Sequence, residues 1–337
     1  MNPERVTRRE FVRGTALAAA GVAAGVTCLA HESAQAADPP ADAAKILNYN
    51  PNMEYRRQGK TGLMVSAVCL GGHSRSNDQE RHDIISRCID AGINYIDACW
   101  DNEVKRDAKA LKGRRDKMYL SLSHGAKEVR NENYRTSKKL MEALDELLKD
   151  SNQEYTDLWR ITCLEPGGRH TFDTAAEIAD ALEKAKKQGK ARFIGFSTHD
   201  RRWIKFMIEY FPQIDVVCFP FTTMSKAAPK DSVFDALKQR EVGAFGIKPF
   251  AAGTLFTGNQ EEDYKRARLA LRYILATNTV IPIPGLQSVA EVDNAAKAVM
   301  ERRQLDVKEK AEIKSVNQQI MASLPAPYSW LKDWATV

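Results

Sequence analysis

Short apolar runs alternate with amphipathic helical patterns along most of the chain. The predicted strands are 67–70, 94–97, 118–123, 157–161, 192–197, 215–219, 244–248 and 279–283, and the helical patterns between them include 134–149, 175–188 and 264–275. Strands separated by helices imply parallel pairing, because a parallel crossover needs a dozen or more residues. Eight strand–helix units over roughly 250 residues predict an α/β protein with a closed (β/α)8 TIM barrel. An open doubly wound sheet is the second possibility, but no GxGxxG follows the first strand.

Two further elements flank the predicted barrel. Residues 53–57 and 63–65 alternate around the turn sequence 59–62, which predicts an N-terminal β-hairpin. Residues 307–323 predict an extra C-terminal helix. We therefore expect one barrel domain over 53–337, preceded by a Pro- and Ala-rich linker over 37–52.

The first 36 residues have the pattern of an export signal. Arg8 and Arg9 precede Phe11 and a weakly apolar run over 16–30, and Ala34-Gln35-Ala36 supplies the small residues that a signal peptidase requires. This pattern predicts a twin-arginine signal peptide, the export machinery as a partner, and a periplasmic or otherwise exported protein. A frayed amphipathic helix is the weaker interpretation. The apolar run is too short for a stable membrane span.

Charge and cysteine content narrow the functional classes. Lys plus Arg total 50 and Asp plus Glu total 44, a net charge of +6 with no long run of one sign, which argues against nucleic acid as a partner. Five of the six cysteines follow residue 36, with no CxxC spacing, which argues against a zinc or iron–sulfur site. Most of them are expected to be small buried apolar residues.

Chemistry in such barrels lies at the carboxyl ends of the strands. His73, His124 and His199 all fall at that end, together with Asp97 and Lys248. Taken singly, each histidine is more often a hydrogen-bonded loop residue than a catalyst.

The chain from about 53 to 300 resembles the aldo/keto reductases. The matching segments are 54–63 with 65–66 for the hairpin, 70–72, 91–97, 188–197, 248–253, 271–273 and 283–285. The resemblance implies carbonyl reduction with NADPH by an Asp, a Tyr, a Lys and a His. Asp97 matches the Asp, whereas Asn102 stands at the Tyr position, Ser123 at or beside the Lys and Thr162 at the His. Asn, Ser and Thr cannot replace the proton chemistry and charge of those groups.

Three functions follow as alternatives. In the first, the site has been rebuilt: His124 or Lys248 supplies the proton to a small carbonyl or sugar-like substrate, and a nicotinamide cofactor still binds. In the second, the barrel is catalytically silent and only binds a ligand. Alternatively, His73, Asp97, His124 and His199 hold a divalent metal in a hydrolase or isomerase.

The resemblance also implies a site for NADP, with NAD as a possibility. Ser197 and Thr198 stand where the family contacts the carboxamide, and Cys218 stands at the usual Gln. The remaining expected cofactor residues are Lys248, Gly285, Gln287, Ser288 and Glu291. Gly285, Gln287 and Ser288 open a helix whose N-terminus could receive a phosphate. Glu291 stands roughly where the family has an Arg or a Gln near the adenosine 2′-phosphate of NADP. A carboxylate at this position would repel that phosphate.

Overall fold

A parallel sheet wound into a barrel forms the centre of the protein, as seen in a computed structural model that describes residues 43–169, 171–225 and 233–334. Seven strands pair in chain order from β3 to β9. The strands are β1 Tyr55–Arg57, β2 Met64–Ser66, β3 Tyr95–Cys99, β4 Tyr119–Ser123, β5 Thr156–Thr162, β6 Ala191–Ser197, β7 Val216–Pro220, β8 Gly243–Ile247 and β9 Ile281–Ile283. Strands β1 and β2 form a separate antiparallel hairpin.

The extended segment 67–71 closes the barrel between its first and last strands. The Cys69 amide donates to the Pro282 carbonyl at 3.1 Å, and the Leu70 amide donates to the Tyr95 carbonyl at 2.9 Å. At Gly71 an added Cβ would lie 2.6 Å from the Pro284 carbonyl oxygen, so the close approach requires glycine. This segment is the predicted first strand, and the predicted (β/α)8 barrel is confirmed.

Helices pack around the outside of the sheet. They are α1 Asp78–Asp90, α2 Asp101–Ala110, α3 Ser137–Asp150, α4 Phe172–Lys187, α5 Arg201–Tyr210, α6 Val233–Gln239, α7 Gln260–Ala276, α8 Val289–Met300 and α9 Val307–Ser323. Asn77 and Asp306 begin α1 and α9 with capping boxes, and Ser288 caps α8. None of the helices described is long and apolar enough to cross a bilayer.

Alternation along the strands separates two apolar layers. Leu158 and Cys218 lie in the barrel interior with Tyr95 and Phe245, whereas Trp159 and Ile161 belong to the layer beneath the helices. Leu63 and Val65 of the hairpin pack on the interior cluster, so the hairpin covers the amino-terminal end. Alternate side chains of a strand point to the same face, so Arg160, like Leu158 and Thr162, points into the barrel. It lies toward the end opposite the hairpin.

The predicted elements lie close to those observed. The hairpin is present, and α9 has the predicted limits. The five cysteines after residue 36 are free and buried, and burial raises the pKa of Cys99 and Cys218 to about 12. The pattern did not predict the 3-10 segment Ala326–Trp334, which returns from α9 to the carboxyl end of the barrel. The predicted export signal lies outside the described residues.

Candidate active site

A cavity of about 760 Å3 opens at the carboxyl end of the barrel. Most predicted rim residues line it, together with residues from the C-terminal segment. Its ionisable and aromatic lining residues are His73, Arg75, Asp97, Trp100, Arg130, Arg160, Glu165, His199, Lys248, Phe250, Phe256 and Tyr328. A polar, partly enclosed cavity in this place is the expected position of an active site in this fold.

Asp97 is held by Arg160. Its two carboxylate oxygens accept hydrogen bonds from Nε and Nη2 of Arg160, both at 2.6 Å, and both side chains are buried. Although burial acts in the opposite direction, the Asp97 charge holds the pKa of Arg160 well above its usual range. The geometry is the bidentate one that guanidinium and carboxylate prefer. The predicted catalytic Asp therefore has a charged partner on β5.

Ser123 and Thr162 form a hydrogen-bonded cluster around a buried carboxylate. Their hydroxyls lie 2.8 Å apart, and Glu128 accepts from the Ser123 hydroxyl at 3.0 Å and from the Thr162 amide at 2.8 Å. The amides of His124 and Gly125 also donate to Glu128. Thr162 lines the cavity, but Ser123 lies behind it. These residues brace the ends of β4 and β5 against each other.

Asn102, which stands at the family's Tyr position, and His124, a candidate proton donor, do not reach the cavity. Asn102 lies exposed on the first turn of α2. His124 is 97% buried, and among the residues described neither of its ring nitrogens has a hydrogen-bond partner, although Nε2 lies 3.9 Å from a Glu146 carboxylate oxygen. The structure places neither side chain in the lining, because α2 begins directly after Trp100 and because the loop after β4 turns inward on Glu128.

Trp100 lines the cavity two residues before Asn102. Its indole Nε1 donates to Nδ1 of His73 at 3.1 Å, so that nitrogen is the unprotonated one. Both residues adopt positive φ angles, 78° and 63°. Such strain in non-glycine residues is maintained only where the surrounding structure fixes it. Burial, with the nearby Lys248 charge, lowers the pKa of His73.

His199 belongs to a chain of polar contacts on the opposite side. Its Nδ1 lies 2.6 Å from a Glu165 carboxylate oxygen, and the other Glu165 oxygen is 2.7 Å from Nη2 of Arg130. The C-terminal segment covers this histidine: the Trp330 ring stacks on it at 4.1 Å, and Nε1 of Trp334 donates to its carbonyl at 3.2 Å. Burial lowers the pKa of His199 to about 4, although the Glu165 hydrogen bond acts in the opposite direction.

Lys248 supplies an unpaired cation. Among the residues described, no carboxylate lies within ion-pair distance of its ammonium group, which lies 5.7 Å from the centre of the Tyr328 ring. Burial lowers the pKa of Lys248, and the charge of Arg130 adds to this effect. A desolvated lysine without a counterion favours an anion or a developing negative charge nearby.

The expected cofactor residues divide into three groups. Ser197, Lys248, Gly285 and Gln287 line the large cavity. Ser288 and Glu291 line an adjoining cavity of about 540 Å3, which shares Gly285 and Gln287 with the first. Thr198 and Cys218 line neither, since both are fully buried. The Thr198 hydroxyl instead accepts from the Asp200 amide at 3.0 Å.

The four residues of the metal hypothesis do not converge. Asp97 is committed to Arg160, and His124 lies outside the lining. Within 43–169, 171–225 and 233–334, no group of three His, Cys, Asp or Glu side chains is arranged to hold a metal ion. The interpretation of the chain as a metal-dependent hydrolase or isomerase is therefore wrong for these residues.

Sequence reasoning missed Arg160, Glu165 and the C-terminal segment as parts of the site. Arg160 carried a signal, because an arginine at an inward position of an apolar strand needs a buried partner. Glu165 lies in a loop without periodicity, and the segment Ala326–Trp334 reaches His199 across 135 residues of sequence separation. Such long-range contacts leave no local pattern.

The sequence of this chain is similar to those of known proteins. The model of the aldo/keto reductase family matches residues 67–268. L-glyceraldehyde 3-phosphate reductase of Escherichia coli K12 is 25% identical over 60% of this chain, which spans 63% of that relative's length. L-galactose dehydrogenase of Arabidopsis thaliana is 23% identical over 75% of this chain and 90% of its own.

Solved structures agree in fold. The holo form of aldo-keto reductase AKR11C1 from Bacillus halodurans has a TM-score of 0.65 at 21% identity, covering 82% of this chain and 99% of its own. An aldo-keto reductase from Klebsiella pneumoniae in complex with NADPH has a TM-score of 0.63 at 18% identity, covering 78% and 95%.

Proposed function

We propose that this chain, which belongs to the aldo/keto reductase family, is an oxidoreductase that uses NADP on a small carbonyl or sugar-type substrate through a rebuilt active site. The observation that carries the proposal is the shared lining of one cavity by Ser197, Lys248, Gly285 and Gln287 with the Asp97–Arg160 pair. The NADPH present in the Klebsiella pneumoniae relative supports the choice of cofactor.

The residues at the barrel mouth fit the nicotinamide half of such a cofactor. Ser197 offers a hydroxyl, Gln287 an amide and Lys248 a positive charge, all facing one space. At the other half, the Glu291 carboxylate accepts from the Gln287 amide at 2.8 Å and so occupies a donor at the start of α8. Binding of a phosphate there requires the Glu291 side chain to move away.

The proposed chemistry depends on charged side chains that the fold holds in the cavity before the substrate binds. When bound, the nicotinamide supplies or accepts the hydride. Lys248 lies in the same cavity and stabilises negative charge on the substrate oxygen, because among the described residues its ammonium group forms no ion pair with a carboxylate. The Asp97–Arg160 pair keeps the floor of the cavity polar and rigid, and Trp100 and Tyr328 contribute apolar surface to its lining.

Ligand-dependent unfolding tests this proposal against the silent barrel. NADP at a hundred times its dissociation constant raises the free energy of unfolding by about 2.7 kcal/mol. We expect this rise in the full chain and a smaller one in Lys248→Met. The exposed Lys112 provides the control, Lys112→Met, which should behave as wild type. Absence of a shift with NADP and with NAD would contradict the proposal and leave a binding barrel.

We also propose that the protein is exported through the twin-arginine route. The support is the sequence of residues 1–36, with Arg8 and Arg9 before a weakly apolar run. This route carries folded proteins, so the cofactor would be loaded before transport.

A further inference from the structure

The pairing of His199 with Glu165 defines which nitrogen of the imidazole is free. Although burial acts in the opposite direction, the hydrogen bond from His199 and the nearby charge of Arg130 lower the pKa of Glu165. An ionised carboxylate can only accept, so Nδ1 carries the proton and Nε2 presents a lone pair. Among the residues that the structure describes, none hydrogen-bonds Nε2, and His199 is one of the residues that line the cavity.

The surroundings hold this ring rigidly. Arg130 anchors Glu165, and Nε of Arg130 itself donates to the Cys163 carbonyl at 3.1 Å. Trp330 stacks on the imidazole with an interplanar angle of 14°, and Trp334 fixes the backbone. A histidine on the lining of a cavity, with Nδ1 held by a carboxylate, has the arrangement of a general base. His124, by contrast, lies outside the cavity lining, and both of its ring nitrogens are buried.

We propose that the Glu165–His199 pair is the proton-exchanging group of this site, with Nε2 of His199 as the atom that takes the proton. This inference rests on the function proposed above. In oxidation, the substrate O–H bond breaks and its proton goes to Nε2, while the carbinol C–H bond breaks and its hydrogen leaves with both electrons to the oxidised nicotinamide. A carbonyl forms, and Lys248 stabilises the charge that develops on its oxygen. Reduction follows the same steps in reverse.

The resting state of the pair favours one direction. A neutral imidazole with a free Nε2 can accept a proton but has none to give to a carbonyl oxygen. In this protonation state the pair is ready for oxidation of a hydroxyl-bearing, sugar-type substrate, whereas reduction first requires Nε2 to take up a proton. Glu165 is a positioning residue, because it acts on the substrate only through His199.

Nitrogen NMR of the imidazoles tests the pair without any turnover. In the full chain labelled with 15N-histidine, we expect His199 as the Nδ1-protonated neutral tautomer at neutral pH. Glu165→Gln should give a mixture of tautomers. His199→Gln identifies the resonance, and His82→Gln on the exposed face of α1 is the matched control. An Nε2-protonated or fully charged His199 at neutral pH would overturn the proposal.

Activity measurements are the second test of the proposal. L-galactose with NADP+ is the probe for oxidation, and glyceraldehyde with NADPH is the probe for reduction. Loss of a general base typically costs about a hundred- to ten-thousand-fold, and we expect His199→Gln to lose that much in kcat with unchanged affinity for NADP. Glu165→Gln should lower kcat without raising KM. A His199→Gln variant with wild-type kcat would contradict the role of the Glu165–His199 pair in proton exchange. A wild-type protein that binds no NADP would contradict the proposed function instead. In that case the tautomer of His199, measured by NMR, decides whether the pair is arranged as proposed.

Discussion

Arg160 of β5 reaches across the barrel interior to Asp97 of β3 and holds both oxygens of its carboxylate at 2.6 Å. The two strands are not neighbours, since β4 lies between them. The pair therefore ties three consecutive strands together above the apolar interior, at the floor of the proposed site.

Breaking this pair should destabilise the protein strongly. Arg160→Met leaves the Asp97 charge buried without a partner, and removing one member of a buried pair costs about 3–5 kcal/mol. Urea unfolding followed by circular dichroism measures the loss. Combining Arg160→Met with Asp97→Leu should restore part of the stability, because no lone charge remains. A double variant no more stable than Arg160→Met would show that the charge is not the cause.

Activity should fall on the alkaline side as Lys248 loses its proton. Burial lowers the pKa of this lysine, so the cation that stabilises the substrate oxygen is present at low pH and is lost at a pH below that of an ordinary lysine. The profile of kcat/KM against pH detects this limb. Lys248→Met should lack it and be about 100- to 1000-fold slower, the range for loss of one such electrostatic group.

The acid limb should belong to His199. Its pKa is lowered to about 4 by burial and by the charges of Lys248 and Arg130, against the opposing effect of Glu165. Nε2 is therefore a free base above about pH 4, and oxidation should decline only as pH falls through that value. A limb near pH 6.5, the value of an ordinary histidine, would contradict the arrangement. The same measurement on Glu165→Gln should show a displaced limb.

The two tryptophans of the C-terminal segment should have separable effects. Trp334 is 1% exposed and stacks on Phe219 at 5.4 Å, so Trp334→Ala should cost about 3–5 kcal/mol of stability. Trp330 is only partly buried and stacks on the catalytic candidate, so Trp330→Ala should lower kcat more than stability. Equal loss of stability in both variants would refute this division.

Export depends on the paired arginines if the signal is of the twin-arginine type. Replacing Arg8 and Arg9 with Lys should leave an uncleaved precursor in the cytoplasm, because the machinery reads the guanidinium pair. Fractionation and immunoblotting detect the precursor. Unchanged delivery of the variant to the periplasm would refute the assignment.

The sequence predicted the barrel well because its information is local and periodic. The apolar runs mark the strands, and the limits of α9 follow from Asp306 at its start and from the apolar period after it. The strand at 67–70 was also predictable, because its apolar run matches the others, although its pairing with β3 is limited to the bridge between Leu70 and Ile96.

The site was less predictable because its partners are distant in sequence. Asp97 and Lys248 line the cavity at the carboxyl end, but counting five residues from Asp97 led to Asn102, which the early start of α2 turns to solvent. His124 was chosen for its place beside a strand end, yet the inward turn on Glu128 removes it from the cavity. The direction in which each loop turns keeps Asn102 and His124 out of the cavity, and the pattern of apolar strands does not predict that direction.

The hairpin at the amino-terminal end has a kinetic consequence. Leu63 and Val65 close that end with apolar side chains, so in the part of the chain that the structure describes, ligands enter from the carboxyl end, beside Trp100 and Tyr328. Two ligands that share one entrance cannot exchange independently, and the deeper one must arrive first and leave last. Initial-rate measurements should therefore show an ordered sequence, in which the last product released is a competitive inhibitor only against the first ligand to bind.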